Sequence, residues 1–223
     1  MRFLLKGVLS MDHKMISIAD QVFEELEKNI LSGIYERGEV LTEIKLSEMM
    51  GVSRTPIREA LRRLEQERLI ESTSKGVKVI GIQMPDIEDI CEIRMRLEGL
   101  AARWVAERAT EEELKELKDA VDLQEFYTQK GDSESLKNTD SRFHQIIYAL
   151  CGSNTMRDTL EPLHRKLLKY RKASFSFPER AWQSLHEHQA ILNAIVERRG
   201  EEAEELTILH IKNAKESILK RGN

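Results

Sequence analysis

Gly51-Val52-Ser53-Arg54-Thr55-Pro56-Ile57-Arg58-Glu59-Ala60-Leu61-Arg62-Arg63-Leu64 is the stretch whose reading decides the fold. Gly51 and Val52 read as a tight turn after the short run Leu46-Ser47-Glu48-Met49-Met50. Ser53 can cap a new helix, with Pro56 tolerated in its first turn. At 100° per residue, Ile57, Ala60, Leu61 and Leu64 share one side of that helix. Arg54, Arg58 and Arg62 lie four apart on the other side, with Thr55 beside them. A capped helix with an apolar face and an arginine face, entered from another helix through a glycine turn, is the pattern of a helix-turn-helix. Taken alone, the arginine stripe reads equally well as the solvated face of an amphipathic surface helix.

The flanks decide between the two. Upstream, Ile18, Val22, Phe23, Leu26, Ile30 and Leu31 recur at helical spacing, and the helix they make ends near Ser32-Gly33. Downstream, Leu69-Ile70-Glu71-Ser72 and Val77-Lys78-Val79-Ile80 are β-prone runs separated by the turn Thr73-Ser74-Lys75-Gly76. Three helices and a two-stranded ribbon make a winged helix-turn-helix, in which Lys75 at the wing tip is placed to touch phosphate or enter a minor groove.

Residues 16–80, within an expected first domain of 16–82, resemble the DNA-binding domain of the GntR family of bacterial transcription regulators. The resemblance rests on Gly51 to Leu61 preceded by Leu46-Ser47-Glu48. It implies that Ser53, Arg54, Thr55 and Arg58 contact operator DNA, with Lys75 and Gly76 in the wing. Many members carry an arginine on the second helix where this chain has Ile44, followed by Lys45. Residues 1–15 are set apart as an N-terminal extension, in which Met11 or Met15 is an alternative start.

The 223 residues suit two domains. A hydrophobic content of 40% supplies real cores, and 33% charged residues with only four prolines suit a mainly helical chain. The net charge of -4 excludes a generally basic nucleic-acid coat, so DNA affinity must come from a local patch. Arg54, Arg58, Arg62 and Arg63 against the single acid Glu59 form one. Cys91 and Cys151 show no paired-ligand spacing and suit the reduced thiols of a cytoplasmic protein. Lys6 interrupts the apolar run at the start well short of a signal segment, and no membrane partner is expected.

Gln83-Met84-Pro85 reads as a linker, and Asp86 as the cap of a helix from Ile87 to about Ala109. Thr110-Glu111-Glu112-Glu113 is a capping box for the second helix, which reaches about Gly131. A third, opened by Asp132 or Ser133, ends near Gly152. A fourth runs from Ser153-Asn154 to about Lys172 and bends at Pro162. A fifth runs from Pro178 to Gly200, and a sixth from Glu201 to about Leu219. The expected fold is therefore mainly α: an N-terminal winged helix-turn-helix followed by an all-α six-helix bundle over 86–223.

Polar residues on the inner faces of this bundle carry the functional signal. Asp140 and His144 are one turn apart. His188 shares a face with Leu185, Ile191, Leu192 and Ile195, and His210 lies one turn from Leu206 and Ala214. One carboxylate and three imidazoles suit zinc, nickel or another divalent first-row metal. Each histidine taken singly is more readily a hydrogen-bonded core or surface residue than a metal ligand. His164 lies on the stripe of Leu160, Leu167 and Leu168 as a reserve ligand or pocket wall, while His186 points to solvent. Arg94 falls among Ile87, Ile90, Ala101 and Val105, where a guanidinium needs an anion. That anion is either Glu98, four residues along, or the carboxylate of a bound metabolite, with Asn213 adding a hydrogen bond.

Residues 86–220 resemble the FCD effector domain of the FadR branch of the same family, in its six-helix, VanR-like form. Its metal-binding members carry an Asp-x-x-x-His pair, a histidine in a Glu-His context and a histidine on the last helix. Asp140 with His144, Glu187-His188 and His210 match. The resemblance implies a homodimeric, metal-containing regulator that binds a palindromic operator and senses a small organic acid. The alternatives are a sensor of the metal ion itself and a metal-dependent hydrolase.

Overall fold

The computed structural model describes residues 17–221, and the expected extension over 1–15 lies outside them. Helix α1, Ile18–Ser32, begins where Ser17 accepts a hydrogen bond from the Asp20 amide. Its faces sort as their periodicity predicts, with Val22, Phe23, Leu26, Ile30 and Leu31 buried. A two-residue strand β1, Val40–Leu41, precedes α2, Glu43–Met50, and the turn at Gly51 leads into α3, Arg54–Gln66. Ile57, Ala60, Leu61 and Leu64 of α3 are buried against α1 and α2. Strands β2, Ile70–Thr73, and β3, Gly76–Val79, complete a winged helix-turn-helix.

The wing differs from the expected ribbon. It is a three-stranded antiparallel sheet in the order β1-β3-β2, in which Val40 faces Lys78 and Leu41 faces Val77. Two residues carry too little pattern to reveal a strand, so β1 is legible only through its partner. Its presence also explains Gly76, which was expected at the DNA. With φ at 137°, a Cβ at Gly76 would run into the Leu41 carbonyl oxygen, so the site admits no side chain where β3 passes β1.

The second part of the chain is helical throughout: α4, Met84–Arg108; α5, Glu111–Lys130; α6, Ser133–Leu150; α7, Asn154–Lys166; α8, Leu168–Phe175; α9, Pro178–Val196; and α10, Gly200–Arg221. The expected fourth helix is two. Pro162 is held inside α7, and the chain breaks instead at Leu167, with φ -99° and ψ 7°, so seven helices replace six. The linker is shorter than expected as well. Met84 already starts α4, and Asp86 is not the cap but closes a capping box with Gln83. At Gly99 an added Cβ would stand 2.9 Å from Ile208, so α4 and α10 lie nearly in backbone contact. That approach brings the inner face of α4 against the face of α10 that carries His210.

The two parts are joined mainly through α7 and α8. Arg165 donates to Glu27 at 3.1 Å, and Lys166 pairs with Glu67 at 2.6 Å. The Tyr170 hydroxyl donates to the Ile82 carbonyl at 2.8 Å.

A Gly76→Ala chain should unfold about 1–3 kcal/mol more easily in urea titration, the usual cost of forcing a side chain into such a backbone. Lys75→Ala, at the exposed tip, should stay within about 0.5 kcal/mol of the parent. Equal stability of Gly76→Ala and parent would contradict the close pass of β3 over β1.

Candidate functional site

Four side chains from three helices meet inside the bundle. α6 supplies Asp140 and His144, one turn apart, α9 supplies His188 and α10 supplies His210, all buried. His210 Nε2 stands 3.2 Å from His188 Nε2 and 3.3 Å from His144 Nε2. Asp140 Oδ1 lies 3.8 Å from His188 Nε2 and 4.0 Å from His144 Nε2. The sequence-expected set is therefore brought together in full.

The outer nitrogens decide what these rings offer inward. His210 Nδ1 is 2.7 Å from Glu187 Oε2, His144 Nδ1 is 2.8 Å from Glu98 Oε2, and His188 Nδ1 is 2.7 Å from Gln124 Oε1. Carboxylate and amide oxygens only accept, so with the protons on the outer nitrogens each Nε2 turns a lone pair toward the common centre. Rings in that tautomer cannot hydrogen-bond to one another, and a cation between them would account for their close approach. Ligands about 2.0–2.2 Å from an ion stand roughly 3.0–3.5 Å apart, and the three nitrogens and the carboxylate oxygen fit a divalent metal.

Around this centre every buried charge is matched. Glu98 takes Arg94 Nε at 2.5 Å on Oε1 and His144 on Oε2. Burial pushes the Glu98 carboxyl up, but Arg94 and His144 outweigh it and hold the group ionised, below the usual carboxylate range. Arg171 donates Nη1 to Asp140 Oδ2 and Nη2 to the Ser141 hydroxyl at 3.2 Å. Burial raises the Asp140 carboxyl too, and Arg171 followed by the histidines brings it below its ordinary value. Glu187 binds Arg180 Nη1 at 2.9 Å and the Asn213 amide at 2.7 Å besides His210.

Two expected ligand-binding residues are thus occupied within the protein. Arg94 pairs with Glu98 and reaches His164 Nδ1 at 3.1 Å, although it also lines the small cavity beside Asp140, His144 and His210. Asn213 is spent orienting Glu187 and does not line that cavity. His164 stands behind His144, ring centroids 4.9 Å apart, and His186 is exposed beside Trp182, as its phase indicated. Arg171, Arg180 and Gln124 went unrecognised in the sequence. Arg180 and Glu187, seven apart on one helix face, carried a usable signal. Arg171 did not, because the break at Leu167 resets the helical phase.

The second candidate surface is the arginine face of α3. Ser53, Arg54, Thr55, Arg58 and Arg62 are exposed, and so is Lys75 at the wing tip. Ser53 occupies the cap position, but its side chain makes no capping bond. Arg58 is bound by Glu43 of α2 through two hydrogen bonds, 3.0 and 2.8 Å. Arg63 leaves the patch altogether, pairing with Asp20 at 2.5 Å and lying 3.9 Å over the Phe23 ring.

Comparison with known proteins bears on both surfaces. Residues 89–213 match the FCD domain, and residues 18–79 match the gntR family of bacterial regulatory proteins. The chain is 32% identical over 219 residues to the Uxu operon regulator of Haemophilus influenzae, covering 85% of this chain and 77% of that one. It is 26% identical over 202 residues to the transcriptional repressor RspR of Escherichia coli, covering 90% and 89%. Among solved structures, E. coli McbR/YncC superposes with a TM-score of 0.80 at 22% identity, over 94% of this chain and all (100%) of that one.

The buried imidazoles make stability depend on pH. Burial first, then Arg171 and Arg94, hold His164 well below the ordinary histidine value. Burial first, then His210 and His144, do the same to His188. As pH falls through about 6.5 the unfolded histidines take up protons that the native ones refuse, so the unfolded state binds more protons and stability drops. In chelator-treated protein each such histidine should cost up to about 1.4 kcal/mol per pH unit below that value. A melting temperature unchanged between roughly pH 7.5 and 5.5 would contradict the buried neutral rings.

Proposed function

The chain belongs to the GntR family of bacterial regulatory proteins and carries an FCD domain, and on that premise we propose that it is a metal-dependent sensor of a small carboxylate. It is a DNA-binding transcription regulator and not an enzyme. The observation that carries the finer reading is the convergence of three Nε2 lone pairs and one carboxylate oxygen on a single point. Zinc or nickel suits three imidazoles and a carboxylate, and a fifth or sixth position open to an oxygen donor suits an organic acid. Regulators of this architecture act on two half-sites, and the proposed active form is a homodimer on a palindromic operator. Exposed apolar residues on the bundle, Leu123, Phe126 and Leu209 among them, offer surface for that association.

Helix α8 gives the acid a route to the DNA-binding half. Tyr170 bonds to the Ile82 carbonyl, just before α4, while its neighbour Arg171 holds the metal ligand Asp140. An acid that binds better to one placement of α8 than another shifts the population of domain arrangements by that difference in affinity.

At the DNA, Arg54 and Arg58 are the proposed base-reading residues, with Ser53 and Thr55 on phosphate and Lys75 at the minor groove or backbone. The Arg58–Glu43 pair is largely exposed, so exchanging it for a base edge costs little. Arg58→Ala should weaken operator binding by about 1–3 kcal/mol and relax preference at one position per half-site. Lys75→Ala should weaken all sequences alike and lower the salt slope by about one. Unchanged operator affinity in Arg58→Ala, measured by fluorescence anisotropy, would move the reading face elsewhere.

For the metal, His188→Ala and His210→Ala should each lose bound ion in elemental analysis. They should also lose the stabilisation that ion gives, about 2.7 kcal/mol at 100 times its dissociation constant. Full occupancy in both would sink the ligand set. A protein whose operator binding responds to zinc or nickel alone, with no acid present, would be a metal-ion sensor instead.

A further inference from the structure

With a divalent ion at the four candidate ligands, the cavity beside them would hold more positive charge than a single carboxylate neutralises. It is lined by Arg94, Arg171 and Arg180, together with Ser174, Phe175, Asp140, His144 and His210. All three arginines are buried, at 2%, 5% and 4% exposure. Each guanidinium has one carboxylate partner: Glu98, Asp140 and Glu187 in turn. Those three pairs cancel. A divalent ion at the four ligands therefore leaves two positive charges uncompensated in a region of low dielectric, where unbalanced charge is most costly. One negative charge on the metal removes only half of that.

Arg171 has donor capacity left for the other half. Its Nη1 goes to Asp140, and its Nη2 to the Ser141 hydroxyl and, at 3.5 Å, the His164 carbonyl. Its Nε–H is buried with no acceptor. An orphaned donor on a buried cation is a defect unless something supplies the oxygen. Arg180, on α9, gives Nη1 to Glu187 and lines the same cavity. Resting on the metal-and-carboxylate reading above, we infer that the effector is a doubly charged acid. One carboxylate goes to the metal and the second to the fork of Arg171, with Arg180 beside it. Arg94, committed to Glu98 and His164, positions Glu98 behind His144 and is not the effector's principal anchor.

The size of the cavity fits this division of labour. At about 20 Å³ it has room for about one water, so an acid of four carbons enters only as a wall yields. The wall that carries Arg171, Ser174 and Phe175 is α8, eight residues long and set off by the break at Leu167. The charge that recognises the acid thus sits on the element that must give way to admit it.

The test is calorimetric titration of the zinc-loaded full-length chain with chain-matched acids: succinate against butyrate, malate against 3-hydroxybutyrate, and glutarate against valerate. The expected result is that the best dianion binds about ten- to a hundredfold more tightly than its monoanion, the worth of one charge-assisted bidentate pair. In Arg171→Met that preference should fall to within about threefold while elemental analysis still finds zinc, which keeps Asp140 compensated. Arg171→Lys guards against a variant that fails to fold: it keeps the charge and loses the fork, and it should retain zinc and lose at least half of the logarithm of the preference. Monoanions binding as tightly as dianions in the parent would overturn the doubly charged effector and leave the metal-and-carboxylate reading standing. An undiminished preference in folded Arg171→Met or Arg171→Lys would overturn the role of Arg171. Zinc-loaded protein that binds none of the six acids would overturn both readings together.

Discussion

Three imidazoles can turn unprotonated nitrogens toward one another in a dry interior only if their outer nitrogens are held by acceptors, and those acceptors are themselves held. Glu98, Glu187 and Gln124 do the first, and Arg94 and Arg180 hold the two carboxylates. Removing one partner of such a pair strands a buried charge, which costs about 3–5 kcal/mol, more than most single contacts contribute. The bundle is therefore built outward from its polar centre as much as inward from its apolar faces. The near-contact of α4 with α10 at Gly99 follows from the same need, because Glu98 must reach a ring on α6 while its neighbours pack on α10.

That arrangement places a mechanical element next to an electrostatic one. Consecutive residues of a helix point about 100° apart, so a single short helix can touch two bodies with adjacent side chains. On α8, Tyr170 reaches the chain just before the bundle and Arg171 reaches Asp140 of the His/Asp cluster. A continuous helix from Asn154 to Lys172 would carry α7's phase into this segment; the turn at Leu167 sets α8's orientation separately.

The DNA-binding half is arranged on the opposite principle. Its arginines are exposed, and the one firm intramolecular pair among the expected readers, Arg58 with Glu43, is solvated and cheap to exchange. Arg63, one position beyond Arg62, is instead locked between Asp20 and Phe23 and ties α3 to α1. Arginines near each other on one helix thus divide between structure and surface. The apolar phase of α3 separates them, because Arg63 flanks the buried stripe and Arg54, Arg58 and Arg62 face away from it.

The sequence by itself determined the winged helix-turn-helix, the helical second part and the four metal-fitting residues. Each rests on spacing along one element: the apolar stripe of α3, the capping box at Thr110, and Asp140 one turn before His144. Local periodicity records which face a residue occupies, and that is enough to show that several polar side chains point inward. It does not record which inward-facing groups meet. The pairing of Arg94 with Glu98 stood as one of two readings, the commitment of Asn213 to Glu187 was missed, and Arg171 carried no mark at all. The strand at Val40–Leu41 and the contact that makes Gly76 obligatory were equally hidden, because both exist only across the sheet. Tertiary structure decided these because a strand partner, or a charge partner on another helix, is set by the packing of separate elements, and even for Arg94 and Glu98 on one helix the spacing alone did not separate an internal pair from an external anion. Only where both partners lie on one helix, as Arg180 and Glu187 do, could the sequence have revealed the pair.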